Sequence, residues 1–392
     1  MAAQFGSDYL RDARIVVIGA GAVGAAAAYR LAQAGATVTV VERLYPGAGT
    51  SGSSFAWLNG FSKGPRHYHR LNMASVRDHQ ELADELNGDW VHVGGGIHWT
   101  TDDKPDKAER IRQSARRLRE WGTRVDATTP EIVMRELEPD VFIDPAAVSE
   151  VYVVPREGWL DGVAMAHCVL REAIRRYGVT HVHGTVAALR GPVGAVDTVV
   201  LEDGQALAAD VVVNAGGPEA GRIAALAGAT LPLDRQVGTL FVTAPAPVRL
   251  EHVLYEADAH VRPDGGARLL LQTEYMDAHA QEGTRLPLDA PVVGQVAADV
   301  QRFLPGIAGV PMEWVKVGVR PMPRDGYPIV GMDPEVSGLY TLVTHSGITL
   351  SARLSVLVTE ELAGGEAADL EPYRPQRFLT QPALAQTPAH GH

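Results

Sequence analysis

The chain has 392 residues, 46% hydrophobic and 21% charged, the make-up of a globular protein with a large buried core and length for two domains, one interrupting the other. Asp and Glu outnumber Lys and Arg by 47 to 35, a net charge of -12, so neither nucleic acid nor an anionic membrane surface is the expected partner. Cys168 is the only cysteine, which excludes an internal disulfide and a cysteine-rich metal site, and no metal is expected. MAAQFGSDYLRDAR, at the amino end, lacks the basic-then-apolar pattern of a secretory signal, and no apolar run is long enough to span a bilayer. A cytoplasmic protein is expected.

The first predicted element is a strand from Arg14. In RIVVIGAGAVGAAAAYRLAQAGATVTVVER, Gly19, Gly21 and Gly24 stand at the G-x-G-x-x-G spacing. An alanine-rich helix follows, Gly35 is placed to end it, and a second apolar strand closes on Glu42, with Arg43 next. This is the βαβ pattern of a dinucleotide fingerprint. Its first glycine makes the tight turn, its second lets backbone amides approach a pyrophosphate, and its third lets helix pack on strand. The helix start at Ala22 and Val23 offers N–H groups and a positive dipole end to phosphates. Glu42 is expected to accept hydrogen bonds from the adenosine ribose. The motif alone does not separate NAD from FAD.

Further along, ADVVVNAGGPEAGRIAAL (209–226) reads as another strand reaching Gly216 and Gly217 before a helix. HVRPDGGARLLLQTEY (260–275) carries a β-turn signal at Pro263, Asp264, Gly265 and Gly266. In WVKVGVRPMPRDGYPIVG (314–331), alternation puts Val315, Val317 and Val319 on one strand face and Trp314, Lys316, Gly318 and Arg320 on the other. Pro321 biases Arg320 toward extended backbone, so Arg320 is expected at the strand's end, on Gly318's face. From this pattern alone it is as readily a surface arginine.

GLYTLVTHSGITLSARLSVLVTEELAGG (338–365) predicts a strand ending near Thr344, a turn, and a helix with Leu350, Leu354, Leu357, Val358 and Leu362 on one face. A helix start this late in the chain suits the far end of a long cofactor such as a flavin. There the amides of Gly347, Ile348 and Thr349 would stabilise the charge that gathers over N1 and the C2 carbonyl as hydride reaches N5. A plain strand-to-helix turn in the core is the alternative.

Together these segments resemble the D-amino acid oxidase family of FAD-dependent oxidoreductases, which includes glycine oxidase, sarcosine oxidase and D-amino acid dehydrogenase. The resemblance covers almost the whole chain. It rests on the fingerprint with Glu42, GTSGSSFAWLNG (49–60), EGWLDGVAMAHCVLREAIRRYGV (157–179), GVRPMPRDGYPIVG and THSGITLSAR. It implies that Thr50, Ser51, Ser53 and Ser54 contact the flavin side of FAD and that the strand holding Val186 contacts adenine. It also implies that Arg320, the arginine of the family's G-x-R-P motif, grips a substrate carboxylate. Gly318 would let its strand lie close to the flavin ring.

Residues 260–275 look like the family's hairpin roofing the substrate cavity. Matched to glycine oxidase, His260 falls on a substrate-contacting tyrosine and Tyr275 on a cavity-lining methionine. A surface histidine and a half-buried strand tyrosine are equally open readings. His345 would polarise substrate or flavin, or serve as a structural turn residue. Arg66, His67 and His69 lie where sarcosine oxidase surrounds its flavin, although a solvated face suits two of the three. Gly318 and Ala56 stand where relatives attach flavin through Cys or His, so the FAD is expected to be noncovalent. Leu270 stands where sarcosine oxidase has its oxygen-activating lysine, which leaves O2 or another electron acceptor open.

The expected architecture is α/β. An FAD-binding Rossmann-like domain with a parallel sheet (1–90, 150–225 and 325–375) is interleaved with a mostly antiparallel α+β substrate domain (91–149 and 226–324), and 376–392 form a loose tail. The expected activity is oxidation of the C–N bond of glycine, a D-amino acid or an N-substituted glycine. Hydride passes to flavin N5, and the imine hydrolyses to a 2-oxo acid plus ammonia or amine. Competing readings are a flavin-dependent 2-hydroxy acid dehydrogenase passing electrons to quinone or a carrier, an NAD-dependent dehydrogenase, and a noncatalytic flavin-binding partner protein. Monomer and homodimer are both open.

Overall fold

The strand from Arg14 is buried at four of its five residues because both faces of its sheet are covered, and such a strand reads as a continuous apolar run. A computed structural model describes residues 10–382. In it Arg14–Ile18 pairs in parallel with Thr37–Glu42 on one side and Val211–Asn214 on the other. Thr180–His183 and Leu339–Val343 extend the sheet, still parallel, and Ile329–Met332 closes one edge antiparallel. Helix Ala22–Gln33 packs between Gly347–Leu362 and Gly162–Tyr177, and its run of fully buried alanines, Ala25 to Ala28, keeps the three close. Val186–Arg190, Thr198–Leu201 and Ala206–Ala208 form a small antiparallel meander over the other face.

A second, eight-stranded sheet runs in the order Met312–Pro323, Leu233–Thr243, Leu269–Thr273, Ala259–Pro263, Val253–Glu256, Gly96–Trp99, Val151–Val154, Asp126–Thr128. Its pairings are antiparallel except between Val253–Glu256 and Gly96–Trp99. Helix Pro291–Gln301 packs on the central strands through Val293, Val296 and Val300. The turn expected after Pro263 is present: Gly265 and Gly266 take positive φ, and Ala259–Pro263 pairs with Leu269–Thr273.

Three segments depart from expectation. The strand through Arg320 does not end there but continues to Pro323, because it is an edge strand whose outer side has no ladder for Pro321 and Pro323 to break. Val151–Val154, placed with the parallel-sheet segments, joins the eight-stranded sheet instead. The tail expected from residue 376 begins with order: Arg377–Thr380 is a helical turn, and Arg377 Nε donates to the buried Asp325 at 2.6 Å. The remainder of that tail, 383–392, lies outside the described residues. Among the described residues no helix is long and apolar enough to cross a membrane.

The fingerprint glycines are required by contact. A Cβ on Gly24 would stand 2.0 Å from the Gly19 carbonyl oxygen, and one on Gly19, whose φ is +102°, would stand 2.6 Å from that of Ala215. Gly24→Ala must therefore push the helix start off the strand. Overpacking of this kind costs about 1–3 kcal/mol, so we expect a lower unfolding midpoint for the apoprotein. An unchanged midpoint would show that the helix slides without cost.

Candidate active site

A cleft opens along the carboxyl edge of the parallel sheet, where ligands of such sheets bind. Its walls run from the fingerprint turn to the start of helix Gly347–Leu362. One end is built from the fingerprint turn, with Gly19, Gly21, Ala22 and Val23 on its wall. Ser51 Oγ accepts the Ala22 N–H at 2.9 Å and ties the Thr50–Ser53 turn to the helix start. Glu42 Oε2 accepts the Ala20 N–H and Oε1 the Leu44 N–H, both at 2.9 Å. An ionised carboxylate accepts about four hydrogen bonds, so lone pairs remain for ribose hydroxyls.

Arg43, Val186, Gly216 and Gly217 also line this end. Gly24 lies behind it. The far end is walled by Thr344, His345, Gly347 and Ile348, at the start of helix Gly347–Leu362. There the Thr344 hydroxyl is buried without a partner, a polar group that a bound ligand would satisfy. An elongated dinucleotide fits: an acid at one end, helix amides beside a glycine turn, and a second helix start with an unmet hydroxyl at the other.

A second cavity of about 440 Å³ joins the cleft, and Thr50, Ser54, His345 and Ile348 line both. Ser53, Thr349 and Arg320 line the second alone. Thr349 Oγ1 donates to Trp57 O at 2.8 Å, so its hydroxyl fixes the wall. Gly318 lines neither cavity. A Cβ there would stand 2.6 Å from Ser53 Cβ, so its missing side chain admits the Thr50–Ser53 turn.

The glycine that makes room for Arg320 is Gly238, directly across from Gly318 on the neighbouring strand. A Cβ on Gly238 would lie 3.1 Å from Arg320 Nε. The guanidinium crosses that space into the cavity, where Nη2 donates to Val237 O at 3.0 Å and to the Asp277 carboxylate. Asp277 is itself held by the Thr239 N–H at 2.8 Å and hydroxyl at 3.1 Å. Arg320 Nε is buried without a partner.

His260 lines the cavity, fully packed against Tyr255 with ring centroids 4.4 Å apart, so the surface reading fails. Burial pushes its pKa down to about 3, with His98 adding to the shift, and the ring is neutral at working pH. Tyr275 does not reach the cavity. Strand alternation stops at Thr273, and the following 3-10 turn sends Tyr275 outward, 38% exposed, its hydroxyl donating to Asp299 at 2.5 Å. Arg66 and His67 are exposed, and His67 Nδ1 bonds the Tyr373 hydroxyl at 2.8 Å. His69 is buried between Gly60 O and Thr123 Oγ1. None of the three lines either cavity.

Sequence reasoning missed Asp277, Gly238 and Lys63, along with the aromatic wall of Phe55, Trp57, Phe61 and Tyr255. Gly238 had a signal, a glycine inside the β-branched and aromatic run QVGTLFVT. Asp277, beyond the end of its strand, had none.

A family model described as FAD dependent oxidoreductase (DAO) matches residues 14–361. An opine oxidase subunit of Agrobacterium tumefaciens (strain Ach5) is 24% identical over 381 residues, 94% of this chain and 99% of that protein. Glycine oxidase of Geobacillus kaustophilus (strain HTA426) is 27% identical over 387 residues, 93% and 97% of the two chains. Among solved structures, glycine oxidase from Geobacillus kaustophilus superposes with a TM-score of 0.81 at 24% identity, covering 92% of this chain and 98% of that one. Iminodiacetate oxidase from Chelativorans sp. BNC1 gives 0.78 at 24%, covering 92% and 99%.

Two expectations follow from the cleft. Glu42→Ala should weaken FAD retention while flavin-saturated protein keeps most of its turnover, as read by flavin titration and by assay at saturating FAD. Equal loading with abolished turnover would contradict a purely binding role. Since Ala56 and Gly318 offer no side chain for a flavin bond and Cys168 lines neither cavity, acid precipitation should release all yellow colour to the supernatant.

Proposed function

Because the chain belongs to the DAO family of FAD-dependent oxidoreductases, we propose that it oxidises the C–N bond of an amino acid whose carboxylate is held by Arg320. FAD, when bound, supplies the hydride acceptor. The observation that carries the reading is the placement of Arg320. Its guanidinium lines the second cavity, whose wall shares Thr50, Ser54, His345 and Ile348 with the cleft, where a ligand in the cleft and a ligand in the cavity would meet.

In this reading the chain's own contribution is positioning. Asp277 and Val237 O occupy Nη2 and fix the guanidinium, leaving Nη1 for an oxygen of the incoming carboxylate. The substrate's α-hydrogen is thereby turned toward Thr50, Ser54 and Ile348. His260, kept neutral by burial, brings no positive charge against the substrate amine. Phe55, Trp57, Phe61 and Tyr255 exclude water from around the substrate. Such a reaction needs orientation more than a dedicated side-chain base. The segments 1–90, 150–225 and 325–375 form the FAD-binding part in this proposal, with Val151–Val154 given to the other part.

Truncating one partner of a buried charge-assisted contact costs about 2–5 kcal/mol. Arg320→Ala should therefore lower kcat/KM for a carboxylate substrate by roughly 30-fold to several thousand-fold, at about 1.4 kcal/mol per factor of ten. It also leaves the Asp277 carboxylate facing the substrate's own. Adding Asp277→Ala should recover part of the loss, whereas Arg320→Lys should recover only part because it keeps charge without the planar fork. Undiminished kcat/KM in Arg320→Ala would mean that the carboxylate is held elsewhere or that the substrate has none.

A further inference from the structure

Lys63 is a buried lysine on the wall of the second cavity, and the mechanism above does not use it. Its ammonium donates to Ser346 Oγ at 3.3 Å and lies 5.9 Å from the Tyr68 ring centroid. Among the described residues no carboxylate comes within the 4.0 Å of an ion pair. Glu157 acts on Lys63 electrostatically from further away, but its oxygens accept His98 Nε2 at 2.8 Å, the Gly60 N–H at 3.1 Å and the Phe61 N–H at 2.9 Å. Buried cations are normally paired, and burial pushes this one down to about 8 although Glu157 acts to raise it.

The cavity's other charges sharpen the point. Its wall carries Lys63 and Arg320 against one carboxylate, Asp277, an excess of one positive charge. Asp277 already neutralises Arg320. A carboxylate held on Arg320 leaves the Lys63 ammonium without a contacting anion, and a second carboxylate supplies one. Two further polar atoms of the same wall, Trp57 Nε1 and His260 Nε2, are buried without partners among the described residues, and the indole can only donate, to an acceptor such as a carboxylate oxygen.

We propose that the substrate is an amino acid bearing a second carboxylate, either on its side chain or on a substituent of its nitrogen, and that Lys63 binds that second carboxylate. This rests on the reading of Arg320 as the holder of the first.

The test uses the FAD-loaded full-length protein and two readouts. Unreactive malonate, succinate, glutarate and acetate are titrated against the flavin absorbance spectrum. The best dicarboxylate should bind at least 30-fold tighter than acetate, and Lys63→Met should abolish that preference while Lys63→Arg retains most of it. In turnover, kcat/KM for D-glutamate, D-aspartate or iminodiacetate should fall at least 30-fold further in Lys63→Met than kcat/KM for glycine, D-alanine or sarcosine.

Equal affinity for mono- and dicarboxylates in the parent protein overturns the proposal, even if Lys63→Met fails to fold. So does an equal fall for both substrate sets, which would make Lys63 a participant in every turnover. If dicarboxylates bind tightly through Lys63 yet no amino acid is oxidised, the anion site stands and the amine oxidation reading fails.

Discussion

A close backbone contact between the Thr50–Ser53 turn and the second sheet sets the geometry of the site. The Thr50–Ser53 turn presses on the edge strand where Gly318 has no side chain, and Thr50 Oγ1 donates to Val319 O at 2.5 Å across the same junction. The turn is fixed from its other side by Ser51, whose hydroxyl holds the first amide of the fingerprint helix. Cleft and cavity are therefore contiguous because a single four-residue turn is bonded to both sheets. Any side chain at Gly318 would separate them, and since overlap there is with Cβ and backbone, no rotamer relieves it.

A buried carboxylate organises the opposite wall in the same manner. Glu157, fully enclosed, accepts His98 Nε2 and the N–H groups of Gly60 and Phe61. Phe61 in turn stacks on His98 at 3.8 Å, and Trp57 stacks on the same histidine while tilting against Tyr255. This set fixes the segment from Trp57 to Lys63, so the lysine is carried into the cavity by backbone that has little freedom. Removing one partner of such a network leaves the others desolvated, which makes the wall rigid as a unit.

What could be read from sequence was what lies close together along it. Fingerprint, helix and Glu42 form one continuous stretch, and the helix from Gly347 announces itself by an apolar face of Leu350, Leu354, Leu357 and Leu362. The packing of Gly318 against Ser53 was not legible because Ser53 is 265 positions away in the chain. Gly238 and Asp277 escaped for the same reason: cross-strand register places one and a turn after a strand end places the other. Tyr275 failed by carrying a period of two beyond Thr273, where the backbone had already left the strand. Lys63 sat in a stretch whose histidines drew attention, yet only the first residue of that stretch lines the cavity.

The pairing of Asp277 with Arg320 explains how orientation and affinity are balanced in the proposed site. A free arginine side chain forfeits about 2 kcal/mol of rotamer entropy when a ligand fixes it. Here Val237 O, Asp277 and, behind Asp277, Thr239 have fixed it beforehand. The cost is that an arriving carboxylate meets a guanidinium already half neutralised, which weakens attraction at that point. Positive charge not spent in this way remains at Lys63, on a different part of the wall. A ligand with a single anionic group can satisfy one cation well or neither fully. A ligand with two is both oriented by the preorganised guanidinium and retained by the lysine, which separates the task of aiming the substrate from the task of holding it.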